Sequence, residues 1–204
     1  ENMFPHNESE IAQAEAAYGT EFANYWLLNN MVTVDGTKMG KSLGNFVTLK
    51  DAYQKYDPLA LRFFILGSHY RQNTDFSEQA ILAASKGYQR LLGYVQRVDF
   101  LMKSAESGEG VKPEIQKILD KFETQFYAAM DDDFNTPQAI AALFDMGRTL
   151  ESFLQGNFQL NMATLAGIRQ QYQKFAGDIL GVLPDELGEA AADLTDGLMQ
   201  MLIN

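Results

Sequence analysis

The sequence predicts a mostly α-helical fold, in which one short strand and a basic loop precede an antiparallel bundle of helices. Three observations support this prediction. Apolar residues recur at steps of three and four through most of the second half of the chain, which is the helical period. One β-branched run, near residue 35, ends in a turn typical of strands. With 204 residues, 46% of them hydrophobic, the chain is long enough to bury a core.

The composition excludes several classes of protein. No apolar run approaches the roughly 18 to 20 residues of a membrane span, and the first residues lack the basic and apolar segments of a secretory leader. We therefore expect a soluble, cytoplasmic protein without membrane contact. The absence of cysteine excludes a disulfide framework and a thiolate metal site made within this chain. Because the chain begins with Glu1, we expect it to be a piece of a longer protein.

Charge is distributed unevenly along the chain. Residues 1–104 carry 10 Lys and Arg against 11 Asp and Glu, whereas residues 105–204 carry 6 against 16. The second part therefore holds almost all of the net charge of −11. A polyanionic partner should contact the first part, because the second would repel it.

The first half is predicted to contain three helices and a strand. The Ala- and Glu-rich stretch His6–Gly19 ends at a glycine suited to a C-terminal cap, and Met31–Gly36 is the strand. Thr48 and Asp51 have the spacing of a capping box for a short helix. Asp57, followed by a proline, is expected to cap the next, very apolar helix.

The rest of the chain is predicted to be long amphipathic helices joined by short loops. The first follows Ser77, and the small, polar stretch Ser104–Pro113 separates it from the others; Thr136–Pro137 is expected to cap a later helix. Short loops between amphipathic helices favour an antiparallel bundle. The predicted apolar stripes are Ile81, Ala84, Tyr88, Leu91, Val95, Val98 and Met102; Ile115, Leu119, Phe122, Phe126 and Met130; Ile140, Leu143, Phe144, Leu150 and Phe153; and Leu165, Ile168, Tyr172, Phe175 and Ile179.

The stretch "VDGTKMGKSLGN" resembles a phosphate-binding loop but departs from the Walker A pattern. That pattern needs four residues between its glycines, whereas Gly36 and Gly40 are separated by three. The length matters because successive backbone N–H groups must point at the phosphates. A Walker A loop also opens directly into a helix, and "LGNFV" after Ser42 does not predict one.

A second interpretation of the same stretch has two lysines on a loop that follows the strand. Lys38 and Lys41 are three residues apart in K-M-G-K-S. A lysine is a flexible point charge that can follow phosphate as negative charge moves during a reaction. A solvated basic turn is the alternative, and a lone pair of lysines would favour it.

The neighbouring residues favour the functional interpretation. "KMGKSLGN" resembles the K-M-S-K-S signature of class I aminoacyl-tRNA synthetases, with Gly40 where that family usually has Ser. "FPHNESEIAQAEA", "YDPLALRFFILGSHYR" and "AMDDDFNTPQAIAALFDM" resemble segments of the cysteinyl-tRNA synthetases, in the same order. The resemblance extends through essentially the whole chain, and several separated matches are more specific than one.

The resemblance implies a fold and a division of the chain. Residues 1–50 would be the end of a Rossmann-type catalytic domain with the zinc-ligand helix and the signature loop, residues 51–104 the connecting helices of the stem-contact region with the first bundle helix, and residues 105–204 the helical bundle of the tRNA-binding domain. The family's H-I-G-H signature, amino-acid pocket and two cysteine zinc ligands would lie upstream, and its small anticodon-reading domain downstream. We expect this chain alone to be inactive.

The resemblance also implies a reaction and its participants. The intact enzyme would join cysteine to ATP, supplied with Mg, to give cysteinyl-adenylate, and would then transfer the cysteinyl group to tRNA(Cys). We expect a monomer. Lys41, assisted by Lys38, would stabilise the departing pyrophosphate, Ser42 would donate a hydrogen bond, and Gly40 would permit loop closure. The predicted nucleotide-binding residues are Lys38, Met39, Gly40, Lys41 and Ser42.

His6 and Glu10 are candidate metal ligands. They are four residues apart and so share a helical face; considered alone, the pair is more typical of structure, since a zinc site needs four ligands. The resemblance aligns them with two zinc ligands of the family, while Asn7 replaces its second histidine. One zinc ion per intact subunit would bind the cysteine sulfur, and we expect this chain alone to hold zinc weakly or not at all.

Two other functions remain alternatives. One is a related ligase that joins cysteine to an inositol-linked amino sugar, and the other is a non-catalytic helical interaction module whose basic loop is incidental.

Some further residues are interpreted as structural. The acidic stretch "MDDDFNTP" lacks the Gly and Glu of a calcium loop and is interpreted as a capped helix junction. An aromatic group is expected in the core, and a group near the signature loop is left open between packing and tRNA backbone contact. The aromatic group is Phe22, Tyr25 and Trp26, and the second is Arg62, His69, Tyr70 and Arg71.

Overall fold

The structure is mostly helical, as predicted. It is a computed structural model that describes residues 3–154 and 160–185, and within these ranges it contains seven α-helices and three short strands. The part of the predicted bundle beyond residue 185 lies outside the described residues. In the described part of the chain, no helix is both long enough and apolar enough to cross a membrane.

The first helix confirms the prediction of a helix over His6–Gly19. A kinked π-helical turn at Met3–Asn7, in which Phe4 has extended torsions (φ −125°, ψ 132°), leads into α1 (Glu8–Tyr18). Gly19 ends α1 with left-handed torsions (φ 67°), and its N–H donates to the Glu15 carbonyl, which is the expected glycine cap. None of the α1 residues is buried.

The predicted burial of the aromatic group Phe22, Tyr25 and Trp26 is wrong. These residues are 52%, 86% and 38% exposed, and Phe22 and Trp26 pack against each other with ring centroids 5.8 Å apart. They lie in a stretch without helix or strand, and no described element covers them. The prediction rested on residue type, and aromatic residue type alone does not reveal whether another element covers the side chains.

A small sheet follows, with three strands where the sequence predicted one. The predicted strand is β1 (Val32–Val34); β2 (Thr37–Lys38) pairs antiparallel with it, and β3 (Thr74–Asp75) pairs parallel with it on the other side. Strands of two residues are too short to show an alternating pattern, so β2 and β3 could not be recognised from the sequence.

Two capped helices connect the sheet to the bundle. In α2 (Leu49–Lys55), Thr48 accepts a hydrogen bond from the Asp51 N–H, as predicted. In α3 (Pro58–Leu66), the Asp57 carboxylate accepts from the N–H groups of Leu59 and Ala60 at 2.7 and 2.9 Å. Each cap satisfies N–H groups that a helix start leaves unpaired.

The long helix α4 (Glu78–Met102) begins at its cap Ser77 and carries the predicted stripe into the core. The loop predicted at Ser104–Pro113 separates it from α5 (Pro113–Asp131). Next come α6 (Thr136–Leu154), α7 (Met162–Tyr172) and a π-helical segment at Gln173–Ile179. A four-residue turn joins α5 and α6, and it makes them antiparallel neighbours.

Two details of the bundle differ from the predictions. Asn135, not Thr136, caps α6, because its side-chain oxygen accepts from the Gln138 N–H at 3.3 Å. Thr136 instead donates its hydroxyl to the Leu66 carbonyl at 2.7 Å and so ties α6 to α3. Ile179, expected in an apolar stripe, is 40% exposed, because the wider π-helical turn shifts the register of the last residues.

Two apolar clusters form the core. The larger one joins α3 to α4, α5, α6, α7 and the π-helical segment, and a smaller one around Ala52, Leu61, Phe64 and Ile81 lies under α2 and α3. Helix α4 contributes to both clusters. The boundaries at residues 50 and 104 remain a prediction.

Candidate active site

The candidate site is built on a tight hairpin. Residues of β1 and β2 pair as Thr33 with Lys38 and Val34 with Thr37. Between them, Asp35 and Gly36 have φ values of 49° and 74°. Positive φ at both central residues is the requirement of a type I′ turn, which Asp-Gly satisfies. The hairpin therefore delivers Lys38 at its end with a fixed register.

Asp75 in β3 holds the hairpin from the side. Its Oδ1 accepts hydrogen bonds from the Thr33 hydroxyl at 2.7 Å and from the Gly36 N–H at 2.8 Å. These bonds favour the ionised carboxylate, and the one from Gly36 lowers the pKa of Asp75 most. Local sequence patterns do not reveal this role, because Asp75 lies about 40 residues from both of its partners in the chain.

The signature stretch leaves the hairpin and turns once. The Met39 N–H donates to the Val32 carbonyl at 3.3 Å, and Lys41–Leu43 form a single 3₁₀ turn. Gly44 closes the turn with left-handed torsions (φ 68°). No α-helix starts at Ser42, so the loop also departs from a Walker A loop in its structure.

Gly40 does not need to be glycine in this conformation. Its backbone is extended (φ −163°, ψ 144°), and the atoms nearest to an added Cβ are 3.9 Å away, in Ser42 and Leu43. The serine that the resembled family usually carries here would therefore be accommodated. The expected role of Gly40 in loop closure remains a prediction.

Asn45 clamps the loop and was not singled out from the sequence. Its Oδ1 accepts from the Gly40 N–H at 2.9 Å, and its Nδ2 donates to the Lys38 carbonyl at 3.1 Å. The side chain thus satisfies backbone groups on both sides of Met39. An Asn side chain shortly after a glycine-containing turn often bonds to nearby backbone groups. This pattern is the feature of the sequence that could have indicated the role of Asn45.

The polar side chains of the loop face solvent. Lys38, Lys41 and Ser42 are exposed, whereas Met39 and Gly40 are half-buried. The Lys41 ammonium lies 5.5 Å from the centre of the Phe46 ring, a cation–π distance that steadies the side chain without neutralising its charge. The arrangement can therefore present positive charge to a phosphate group.

The two candidate metal ligands lie apart from this loop in the chain. His6 belongs to the π-helical turn and Glu10 to the first turn of α1, and both are exposed. Helical torsions at Asn7 (φ −69°, ψ −34°) join the two segments. Among the described residues, no three His, Asp or Glu side chains are grouped to hold a metal ion. His6 and Glu10 fit only half of a four-ligand set, and the zinc site remains a prediction.

Four residues near the signature loop were predicted either to pack within the protein or to contact the tRNA backbone. In the structure, all four make contacts within the protein. Arg62 donates through Nε to the Leu180 carbonyl at 2.7 Å, next to the left-handed Gly181. Arg71 and Tyr70 bond to Asp133, in the turn between α5 and α6. His69 stacks on Tyr70, with ring centroids 4.9 Å apart. The acidic stretch around Asp133 is the helix junction that was predicted.

Comparison with known proteins adds two family matches. Residues 1–86 match the family described as tRNA synthetases class I (C) catalytic domain, and residues 125–184 match the DALR domain. The first match contains the whole hairpin and its signature loop. The chain belongs to the class I tRNA synthetases of the cysteine type. In this family member, the catalytic-domain match ends within α4 and the DALR match begins within α5.

Three relatives of this chain share one name with each other, cysteine–tRNA ligase. The cysteine–tRNA ligase of Chlorobaculum tepidum is 47% identical over 209 residues, which cover 99% of this chain and 41% of the relative. That of Deinococcus radiodurans is 42% identical over 207 residues, covering 98% of this chain and 41% of the relative. That of Moorella thermoacetica is 35% identical, covering 98% and 44%. The chain thus spans about two fifths of the length of the curated relatives it matches.

Proposed function

We propose that this chain is part of a cysteine–tRNA ligase and supplies the loop that handles the phosphates of ATP. The observation that carries the proposal is the K-M-G-K-S loop, held by a type I′ hairpin and by Asn45, with both lysines exposed. A site for a transient, highly charged group needs cations that are positioned in advance. The names of the relatives support the choice of substrate.

The reaction would proceed in two steps. The carboxylate of cysteine attacks the α-phosphorus of ATP, the bond to the β-phosphate breaks, and pyrophosphate leaves with its electron pair while cysteinyl-adenylate forms. A terminal hydroxyl of tRNA(Cys) then attacks the adenylate carbonyl, loses its proton, and releases AMP. The product would be used in protein synthesis in the cytoplasm.

The loop residues would act mainly in the first step. Negative charge grows on the departing pyrophosphate, and the ammonium groups of Lys41 and Lys38 would stabilise it more strongly than the bound ATP. The Ser42 hydroxyl would donate a further hydrogen bond. Mg would enter with ATP as part of the substrate. The backbone clamps at Met39 and Gly40 would keep these groups oriented, so that little entropy is lost during the reaction.

His6 and Glu10 would supply two of the zinc ligands in the intact enzyme. Zinc with an open coordination position binds a thiolate more readily than a hydroxyl, which would separate cysteine from serine. These two side chains offer a nitrogen and an oxygen donor, and the remaining donors would come from elsewhere in the intact protein.

The helices after residue 104 would help to hold tRNA(Cys). The DALR match over 125–184 supports this role over the alternative of a sugar-directed cysteine ligase, and the membership in a catalytic family argues against a purely non-catalytic module. Residues 105–204 carry an excess of acidic residues, so these helices would contact the tRNA through their few lysines and arginines. Most contacts with the tRNA backbone would come from the lysines and arginines of the earlier residues. We expect the intact enzyme to be a monomer.

Replacement of Lys41 by Ala in the intact enzyme tests the proposal. We expect the loss of about 3 to 4 kcal/mol of transition-state stabilisation, or roughly two to three decades in the rate of adenylate formation, as for other preorganised charge stabilisers. The measurement is cysteine-dependent exchange of pyrophosphate into ATP. The control is Lys50→Ala, which removes an exposed lysine of α2 outside the loop and should change the rate less than twofold. An unchanged exchange rate in the Lys41→Ala variant would remove Lys41 from the mechanism.

A further inference from the structure

A polar junction connects the bundle to the residues that precede β3. Asp133 lies in the turn between α5 and α6, and its Oδ1 accepts from the Tyr70 hydroxyl at 2.5 Å. Its Oδ2 accepts from Arg71 Nε at 2.5 Å, and Arg71 Nη2 lies 3.3 Å from Oδ1. We name Asp133, Tyr70 and Arg71 the Asp133 junction. It joins residues that are more than 60 positions apart in the chain.

The same two partner residues also hold the start of β1. The carbonyl of Tyr70 accepts from the Asn30 N–H at 2.9 Å, and the carbonyl of Arg71 accepts from Asn30 Nδ2 at 2.8 Å. Asn30 in turn accepts, through Oδ1, from the Met31 N–H at 2.8 Å. Tyr70 and Arg71 therefore bind the bundle with their side chains and the sheet with their backbone.

The hydrogen bonds continue from there to the signature loop. The Met31 carbonyl accepts from the Thr74 N–H at 3.1 Å, which starts the parallel pairing of β1 with β3. The next residue of β3, Asp75, holds the Gly36 N–H at 2.8 Å, in the turn that leads to Lys38. An unbroken series of contacts thus runs from the α5–α6 turn to the hairpin that carries the two signature lysines.

The backbone of the turn is shaped to present Asp133. Asp133 and Phe134 both have left-handed torsions, with φ values of 56° and 54°. Two consecutive non-glycine residues in this region are uncommon and cost free energy, most of all for a bulky residue such as Phe. Phe134 gains little burial in return, since it is 51% exposed. The turn places the carboxylate against Tyr70 and Arg71 at this cost.

Other contacts keep the bundle attached when the junction is removed. The Thr136 hydroxyl bonds to the Leu66 carbonyl, and Arg62 bonds to the Leu180 carbonyl, both at 2.7 Å. The buried cluster also joins α3 to the bundle. Loss of the junction should therefore change how the sheet is held relative to α5 and α6, and leave the fold in place.

From this geometry we propose that Asp133 is a positioning residue for the second step of the reaction. It holds the sheet with the signature loop at a set orientation to the helical bundle, so that a tRNA bound on the bundle meets the adenylate formed at the loop. This inference rests on the proposed function and extends it, because it assigns a role to a residue that lies outside the signature loop and acts through Tyr70 and Arg71. An error of about 1 Å in placing two reactants is enough to slow a reaction substantially.

A second ion pair of similar exposure serves as a control for this role, because it lies within a single helix. Asp145 pairs with Arg148 within α6, with side chains that are 55% and 60% exposed. Asp133 and Arg71 are similarly exposed, at 42% and 66%. Exposed pairs usually contribute little to stability. Asp145→Ala therefore removes an equivalent charge pair that does not connect two elements.

The kinetic experiment uses Asp133→Ala and Asp145→Ala in the intact enzyme. For Asp133→Ala we expect about a tenfold lower kcat for aminoacylation of tRNA, with KM for tRNA and the rate of pyrophosphate exchange within twofold of the parent enzyme. Asp145→Ala should leave all three unchanged. Arg71→Ala should show the same split with a smaller loss, because Asp133 keeps its hydrogen bond from Tyr70. The double variant should be no worse than Asp133→Ala, which already removes the ion pair that the two residues share. Equal loss in both half-reactions, or no loss in either, would overturn the proposal.

Two further measurements distinguish a failure of the junction's role from a failure of the proposed function. Tyr70→Phe removes one hydrogen bond and leaves the ion pair. It should lower kcat for aminoacylation about threefold and leave pyrophosphate exchange within twofold of the parent enzyme, and this test remains available if Asp133→Ala proves unstable. Amide hydrogen exchange at Asn30 and Met31 should be faster in the Asp133→Ala enzyme than in Asp145→Ala, because these residues lose the support of Tyr70 and Arg71. Asp75 and Asn45 still hold the signature hairpin, so the first step is expected to continue. A parent enzyme without pyrophosphate exchange would refute the proposed function alone. Unchanged amide exchange at Asn30 and Met31 would refute the role of the junction alone.

Discussion

Single side chains decide the shape of the candidate site. Asp75 and Asn45 each bond to backbone N–H groups of the signature hairpin, at distances between 2.8 and 2.9 Å. These side chains add hydrogen bonds to the hairpin, whose strand pairing alone provides few because β2 has only two residues. A short hairpin is marginal without such support. The loop geometry therefore depends on side chains that lie outside the signature.

The lowered pKa of Asp75 predicts how the hairpin responds to acid. A carboxyl whose pKa is lowered by folding contributes its full stabilisation above its ordinary pKa of about 4 and loses it as the pH falls through the lowered value. The Gly36 N–H is the largest cause of the shift. We expect the NMR shift of the Gly36 amide to titrate with a midpoint below the ordinary Asp value, and not to titrate in Asp75→Asn. A midpoint at or above the ordinary value would contradict this role.

At the scale of helices, a glycine lets α4 and α6 approach closely. Gly147 of α6 is buried, and a Cβ at this position would overlap the ring of Tyr94 in α4. Tyr94 also packs edge-on against Phe144, with ring centroids 6.3 Å apart. Its ring is therefore held on two sides and has little room to move. The spacing of the two helices depends on the missing side chain at Gly147.

Two Gly→Ala substitutions should have opposite effects on stability. Gly147→Ala should destabilise the protein by about 1 to 3 kcal/mol, because the added methyl overpacks the contact with Tyr94. Gly93→Ala in α4 should stabilise it by about 0.4 to 1 kcal/mol, since no atom lies within 4 Å of the added Cβ. Urea unfolding of both variants, followed by circular dichroism, measures the difference. A Gly147→Ala variant as stable as the parent would show that the helices can move apart at little cost.

The sequence anticipated the helices better than the strands. Cap residues such as Thr48 and Asp57 occupy the predicted positions, because a cap is a local arrangement of a side chain and the next three residues. The pairings of β2 and β3 were missed, since they rest on contacts between distant residues. Thr136 shows the same limit: it has the local character of a cap, but its hydroxyl bonds to Leu66 in another helix.

At the scale of the whole molecule, one aromatic cluster joins the end of the described chain to α5. Phe175 is fully buried, and its ring centroid lies 4.6 Å from that of Phe126 and 5.0 Å from that of Phe122. Lys174 covers the outer face of this ring at 4.7 Å and pairs with Glu123 at 2.8 Å. The cluster belongs to the larger core, which spans residues from α3 to Val182.

Phe175→Ala should therefore lower the stability of the whole molecule. We expect a loss of about 3 to 5 kcal/mol, from lost burial and from the cavity left among the neighbouring rings. Phe100→Ala is the control, since this residue is 59% exposed and its loss should cost no more than about 0.5 kcal/mol. Urea unfolding of the two variants compares them. Equal stability would mean that the segment after α7 is not part of the cooperative core.

The sequence by itself determined the helical character, the apolar stripes of the bundle, and the lysine-bearing signature that indicates the family. These features are local or periodic, so neighbouring residues are sufficient to specify them. Only the tertiary structure decided that Asp75 and Asn45 hold the loop, that Phe22 and Tyr25 are exposed, and that Asp133 connects the bundle to the sheet. These features depend on which distant residues meet in space, and that is settled by the packing of the whole chain.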